Sequence, residues 1–162
     1  LNAIVIGEAE HADMSVVLPA ILMHDIGFLY GATGKTHGAV GAQKLPSFLK
    51  KHKITYPLGM VQHMAECIRT HKGSMFNERP ATREAKVVCD ADFLEKFGMF
   101  GVYQLIRTYT EFNLPLEMLI ERGKRTYSLE TKTGKKFAEK GRKFVTDFFG
   151  KLNRANESYR IE

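Results

Sequence analysis

Apolar residues recur with the 3.6-residue period of an α-helix along nearly the whole chain, and no segment alternates apolar and polar residues as a half-buried strand does. Pro57 and Pro80 suit the first turn of a helix, and Gly27, Gly73 and Gly98 lie where helices should stop. We therefore predict an all-α fold. The expected helices are at about 1–9, 14–25, 37–51, 57–72, 81–97, 99–111, 114–123 and 132–152.

Two stretches, 28–36 and 73–80, are rich in glycine or polar residues and are predicted to be loops. The length of 162 residues fits one domain, so we expect a helical domain over 1–152 and a polar, frayed tail over 153–162. The first residue is Leu1 rather than Met, and it already lies in a helix-like apolar run. The N-terminal helix is therefore expected to be truncated.

The last predicted helix is both amphipathic and basic. Its apolar residues share one face: Phe137, Phe144, Val145, Phe148, Phe149 and Leu152. Cationic residues cover much of the remaining surface of this helix: Lys135, Lys136, Lys140, Arg142, Lys143 and Lys151. Such a helix can contact membrane or nucleic acid, but we expect these aromatic rings to fill the core rather than to stack on bases. The basic side is then a solvated face.

Composition is ordinary for a globular protein, with 44% hydrophobic and 26% charged residues. No apolar run approaches the about 20 residues that span a bilayer, and the first residues do not resemble a signal peptide. Cys67 and Cys89 have neither disulfide-motif nor zinc-motif spacing and are expected to be buried free thiols in the cytoplasm. The net charge of +6 fits nucleic acid or a small phosphorylated ligand and does not distinguish them.

The triplet Gly34-Lys35-Thr36 resembles the end of a Walker A phosphate loop. That motif needs a glycine five positions before Gly34, where this chain has Leu29, and it follows a strand rather than the predicted helix. We therefore exclude a Walker loop, although Lys35 can still face an anion.

A metal site is indicated by His24 and Asp25 at the end of a predicted helix. His24 follows apolar residues at helical spacing, so it should face the interior. Asp25 would point about 100° away on an ideal helix, so the pair can share one ion only near a helix end, which Gly27 provides. An unpaired buried carboxylate costs several kcal/mol, and a cation removes that cost. The alternative is an aspartate that caps a loop beside a core histidine.

Asp90 lies in the middle of an apolar helix face, whereas Asp92 falls among polar neighbours. Periodicity therefore selects Asp90 as the buried acid and places Asp92 at the surface or behind the ligands. A buried aspartate needs a metal or a cation, and Arg83 and Lys86 are also within reach of Asp90.

Four of the six histidines are candidates for the site. His63 and His71 are eight residues apart on one helix, a rise of about 12 Å, so they cannot both ligate one ion. His71, beside Lys72 at the helix end, is the better candidate for a ligand, and the role of His63 stays open. His37 follows the glycine-rich loop and suits a ligand or an anion contact.

These residues, in the order His24-Asp25, His37, His63, His71 and Asp90, resemble the HD-domain superfamily of metal-dependent phosphohydrolases. The phrase LPAILMHDIG at 18–27 is similar to the helix that ends in the family's HD motif, and EAKVVCDADFLEKFG at 84–98 is similar to its later aspartate helix. The stretch 131–144 resembles the closing helix of small bacterial and archaeal members. The resemblance implies a compact multi-helix HD-domain bundle with the metal site between central helices.

By this resemblance, His24, Asp25 and Asp90 match three metal ligands. His37 and His71, with His63 as a further candidate, match positions that hold a second metal or the substrate phosphate. The family's first ligand is a histidine about one helix upstream of the HD pair, and it is expected before Leu1.

The function expected from this resemblance is metal-dependent hydrolysis of a phosphate ester in a nucleotide or another small phosphorylated metabolite. A mixed His/Asp site suits one or two ions of Mn²⁺, Fe²⁺, Co²⁺, Ni²⁺, Zn²⁺ or Mg²⁺. Asp25 would bridge two ions or act as base to the attacking water, and Lys35 and Lys72 would help to hold the phosphate. The chain lacks the Gly-Tyr-Pro phrase of cyclic-dinucleotide enzymes after His71, so phosphomonoesterase activity is favoured over phosphodiesterase activity.

The alternative is a non-catalytic helical module that binds nucleotide or nucleic acid through a degenerate site. The first interpretation expects a small phosphorylated substrate as the partner, and neither a membrane nor a nucleic acid. The oligomeric state stays open.

Overall fold

The computed structural model describes residues 1–73 and 78–159, and every regular element in that part of the chain is helical. The predicted all-α fold is confirmed. The elements are α1 Asn2–Ala9, α2 Met14–Met23, a short 3₁₀-helix η1 Ile26–Tyr30, α3 His37–Lys51, α4 Leu58–Thr70, α5 Arg83–Leu94, α6 Gly98–Glu111, α7 Leu116–Gly123 and α8 Lys132–Ser158.

Two element boundaries differ from the prediction in ways that matter. Helix α2 stops at Met23, and η1 forms at 26–30, partly in the stretch predicted to be a loop. Helix α8 continues six residues beyond the predicted end at 152, where Asn153 Nδ2 donates a hydrogen bond to Glu157 one turn later. Part of the predicted tail is therefore helical.

The chain folds into two compact units, one of Leu1–Asp92 with Ser128–Gly134 and the other of Phe93–Tyr127 with Lys135–Glu162. A single helical domain over 1–152 stays a prediction.

In the first unit, α3 packs against α4 and η1, and α2 packs against α4. The fully buried side chains include Ile6, Leu45, Met64 and Ile68. Helices α3 and α4 approach closely at Gly38, where an added Cβ would lie 2.9 Å from the Arg69 carbonyl oxygen. This close approach brings the first turn of α3 to the last turn of α4.

The second unit has its own core of Val102, Leu119, Val145 and Phe149. The prediction that all the apolar residues of α8 face the core is only partly met, because Phe137 is 51% exposed and Phe144 is 39% exposed. Each of these rings precedes a buried residue by one position, and one position is a turn of about 100° around the helix.

Cys67 and Cys89 are buried thiols that do not form a disulfide, as predicted. Burial, together with the charge of Glu84, raises the pKa of Cys67 to about 12. Among the described residues, the helices are all too short or too polar to span a bilayer.

Candidate metal centre

Three potential metal ligands meet where two helices of the first unit end. His24 caps the C-terminus of α2, Asp25 follows it, and His71 caps the C-terminus of α4. Their ligand atoms lie within 4.8 Å of one another. His37, the first residue of α3, places its Nε2 atom 3.0 Å from Nε2 of His71. The structure therefore brings together four of the residues predicted from the sequence.

Each of the three imidazole rings is fixed through its Nδ1 atom. Nδ1 of His24 and Nδ1 of His71 each lie 2.6 Å from the backbone carbonyl oxygen three residues earlier. Nδ1 of His37 lies 3.2 Å from the carbonyl oxygen four residues earlier. Because a carbonyl oxygen only accepts, each Nδ1 carries the proton and each Nε2 of a neutral ring carries a lone pair. This hydrogen bonding is typical of histidines that ligate metal through Nε2.

The contact between His37 and His71 needs a positive charge. Both side chains are almost fully buried, and their Nε2 lone pairs face each other at 3.0 Å. Burial, reinforced by the charge of Lys72, lowers the pKa of His71 to about 3, so this ring is neutral near pH 7. Either a proton on His37 or a cation among the rings relieves the repulsion. Imidazole nitrogens with a carboxylate form a suitable donor set for a divalent transition metal.

Asp25 lies against all three rings and is half exposed. Its Oδ1 is 3.2 Å from Nε2 of His37 and 3.8 Å from Nε2 of His71, and its Oδ2 is 3.4 Å from Nε2 of His24. Burial raises the pKa of Asp25, but its contact with His37 and the nearby positive charges outweigh burial, so the pKa lies below its usual value. Asp25 is thus an ionised carboxylate that faces both the rings and the solvent.

The structure corrects the assignment of the later aspartate. Asp92, expected at the surface or behind the ligands, is buried, with Oδ1 3.9 Å from Nε2 of His24 and Oδ2 3.2 Å from Nζ of Lys72. Asp90 is buried as predicted, but its carboxylate accepts hydrogen bonds from the backbone N–H groups of Glu130 and Thr131 and from the Thr131 hydroxyl. Asp90 therefore anchors the segment before α8. Its pKa is raised by burial, although these hydrogen bonds oppose the shift.

The environment of α5 explains why Asp92, rather than Asp90, lies near His24. Nearly every residue from 85 to 93 is buried, so the helix has no solvated face on this stretch. Periodicity can identify a buried face, but it cannot rank two aspartates on a helix that is covered all round.

Two other predicted site residues lie outside the cluster. Nε2 of His63 is 3.1 Å from Thr82 Oγ1 and 3.3 Å from Glu84 Oε2, because His63 stands two turns before His71 on α4. Lys35 is exposed on the loop before α3. Lys72, by contrast, reaches the cluster through Asp92.

Phe28 belongs to this site and was not identified from the sequence. Its ring stacks on His37, with centroids 4.4 Å apart and planes 13° apart, and the side chain is 48% exposed. The available signal was an aromatic residue directly after Gly27, at the turn that ends the HD helix.

Two comparisons with known proteins give matches to this chain. A family model for the HD domain matches residues 2–96. The structure is similar to the crystal structure of a predicted HD superfamily hydrolase from an uncultured Thermotogales bacterium, with a TM-score of 0.64 and 24% identity over 95% of this chain and 75% of that chain. No curated protein matches the chain significantly.

At 24% identity, the structural likeness supports the fold alone, and the family assignment rests on the sequence model. The superfamily is one of metal-dependent phosphohydrolases, which agrees with the resemblance drawn from the sequence. The match to the HD domain model covers more than half of the chain, and the chain therefore belongs to the HD domain family.

Proposed function

We propose that this chain uses a divalent metal ion to hydrolyse a phosphate ester of a nucleotide or another small phosphorylated metabolite, with monoesters preferred. The observation that carries the proposal is the convergence of three Nδ1-anchored imidazoles and an ionised aspartate, with two buried Nε2 atoms 3.0 Å apart. A divalent cation bound among these atoms would relieve the repulsion between the two lone pairs and would be held by imidazole nitrogens and a carboxylate, which together form a suitable donor set.

The metal-holding residues are proposed to be His24, Asp25 and His71, with His37 and Asp92 beside them as further donors. A bound divalent ion would supply a Lewis acid that polarises a phosphoryl oxygen and lowers the pKa of a nearby water. The donor set leaves the identity and the number of ions open.

The chain's own groups then have distinct proposed roles. The half-exposed carboxylate of Asp25 accepts the proton from the water that attacks phosphorus. Lys72, whose Nζ is 3.2 Å from Asp92, holds that carboxylate in place and offers positive charge to the phosphate. Lys35 is proposed to approach the phosphate from the exposed loop. His63 has no role in this proposal, because its Nε2 contacts Thr82 and Glu84.

A matched pair of histidine variants tests the proposal. Phosphate release from p-nitrophenyl phosphate, nucleoside monophosphates and sugar phosphates is measured with each of the six candidate metals. We expect His71→Gln to abolish the metal-stimulated rate and His63→Gln, on the same helix, to retain it. Asp25→Asn should lower the rate by about 10²–10⁴-fold while the protein stays folded.

Two results would contradict the proposal. Turnover that is equal in His71→Gln and wild type would show that the cluster is not the active site. Tight metal binding without turnover of any phosphate ester would support the alternative of a non-catalytic binding module.

A further inference from the structure

Helix α8 concentrates the positive charge of the chain on an exposed surface. Of its residues, eight are Lys or Arg and three are Asp or Glu, while the whole chain has a net charge of +6. Lys136, Lys140, Lys143 and Lys151 are exposed. None of the ion pairs found in the described part of the chain involves these four lysines. Their charge is therefore available to a partner.

Aromatic rings interleave with these lysines along one side of the helix. Phe137 is 51% exposed and Phe144 is 39% exposed, and they stand seven residues apart, about 10 Å along the axis. Lys140 lies between them and Lys151 lies two turns beyond Phe144. At 100° per residue, these four side chains fall within about 60° of one another around the helix. We call them the α8 stripe.

The neighbouring flank of α8 is also predominantly basic. A groove of about 620 Å³ runs along it, lined by Lys135, Lys136, Glu139, Arg142, Lys143, Thr146 and Asp147. The cations outnumber the acids in this lining, so the groove extends the positive field beside the stripe.

These observations separate the possible anionic partners. A helix that lies in a membrane surface buries a whole apolar face in the lipid, but the apolar face of α8, with Ala138, Val145 and Phe149, is already buried within the protein. A nucleic-acid duplex keeps its bases stacked inside, so it offers exposed aromatic rings little to contact. Single strands present both a phosphate track and free base faces, and proteins bind them with cations and aromatic side chains in alternation.

We propose that the α8 stripe binds single-stranded nucleic acid, with Lys140 and Lys151 on the phosphates and Phe137 and Phe144 stacked on bases. From the sequence we expected no nucleic-acid partner, because these rings were assigned to the core. Their exposure removes that reason. The proposal is independent of the proposed hydrolase activity.

The test measures fluorescence anisotropy of labelled 12-nucleotide poly-U and poly-dT with the full chain over a series of salt concentrations. The double variant Phe137→Ala/Phe144→Ala should weaken binding by about tenfold for each ring and leave the salt dependence unchanged. The double variant Lys140→Gln/Lys151→Gln should make the slope of log K against log salt less steep by about 1.4, since each phosphate contact contributes about 0.7 for a single strand.

The matched control is Lys50→Gln/Lys51→Gln, which removes the same charge from two exposed positions on α3 and should keep the wild-type slope and most of the affinity. Circular dichroism confirms that each variant is folded. The proposal is overturned if the phenylalanine variant binds like wild type, or if a duplex of the same length binds as tightly as the single strands. It is also overturned if the Lys50→Gln/Lys51→Gln control loses as much affinity as Lys140→Gln/Lys151→Gln. Binding to anionic vesicles without binding to either oligonucleotide would also overturn it and would assign the surface to a membrane.

Discussion

Replacing Gly38 by alanine tests how the packing of α3 on α4 sets the distance between His37 and His71. The new Cβ would lie 2.9 Å from the carbonyl oxygen of Arg69, 3.1 Å from that of Ile68 and 3.4 Å from Cε1 of His71. Backbone oxygens at the end of α4 cannot rotate away as a flexible side chain can. The two helices must therefore separate by several tenths of an ångström, which moves the Nε2 atoms of His37 and His71 apart.

The expected size of this effect follows from overpacking in a core, which costs about 1–3 kcal/mol. Alanine in place of glycine inside a helix otherwise stabilises by roughly 0.5–1 kcal/mol, so the net loss should be about 0.5–2 kcal/mol. Displaced ligands should also weaken metal binding by roughly 10–100-fold, the range found when ligand positioning is disturbed.

The matched control for Gly38→Ala is Gly59→Ala, a second glycine-to-alanine change in a helix of the same unit. An added Cβ at Gly59 meets nothing within 4 Å, so this variant should be as stable as wild type or more stable. Urea unfolding in the presence of a chelator gives the stability, and titration with Co²⁺ gives the metal affinity. The reasoning is refuted if Gly38→Ala binds Co²⁺ as tightly as Gly59→Ala, because the close approach would then have no part in placing the ligands.

Three further outcomes are expected. Asp90→Asn should lower the free energy of unfolding by about 2 kcal/mol, since the amide NH2 group then faces the N–H group of either Glu130 or Thr131. Metal titration of this variant should show wild-type affinity, and a large loss of affinity would show that Asp90 belongs to the metal site. In the metal-free protein, the pKa of His71 is about 3. As the pH falls below the usual pKa of histidine, this ring therefore takes up a proton in the unfolded chain but not in the native protein. The free energy of unfolding should then decrease between about pH 6.5 and 3 by at most about 5 kcal/mol. Urea unfolding of wild type that depends on pH no more strongly than that of His71→Gln would contradict this. Cys67, with a pKa of about 12, should not react with iodoacetamide at pH 8 unless urea is added, and mass spectrometry of the alkylated native protein checks this.

The local part of the fold and site was predictable because helical periodicity and glycine positions are local signals. Periodicity gave the all-α class, and it placed His24 and His71 at helix ends, where ligands from different helices can meet. His37 was predicted from its position directly after the glycine-rich loop. The convergence of these residues could not be computed from spacing, since it depends on the packing of α2, α3 and α4.

The features of the fold and the site that could not be predicted share one cause. Hydrophobic periodicity describes a single helix and not the elements that pack around it. Asp90 and Asp92 differ by about 200° around α5, yet both are buried, and only the tertiary contacts decide which of them faces His24. In the same way, Phe137 and Phe144 belong to the apolar half of α8 in sequence, but the core covers only the narrower band that contains Val145 and Phe149.

The most direct test of the central claim is the metal content of the purified protein, measured by elemental analysis after dialysis against metal-free buffer. Wild type and His63→Gln should each retain at least about one divalent metal ion per chain, and His71→Gln and Asp25→Asn should retain far less. Equal metal content in all four proteins, or none in wild type even after incubation with each candidate ion, would contradict the claim that these converging lone pairs form a cation site.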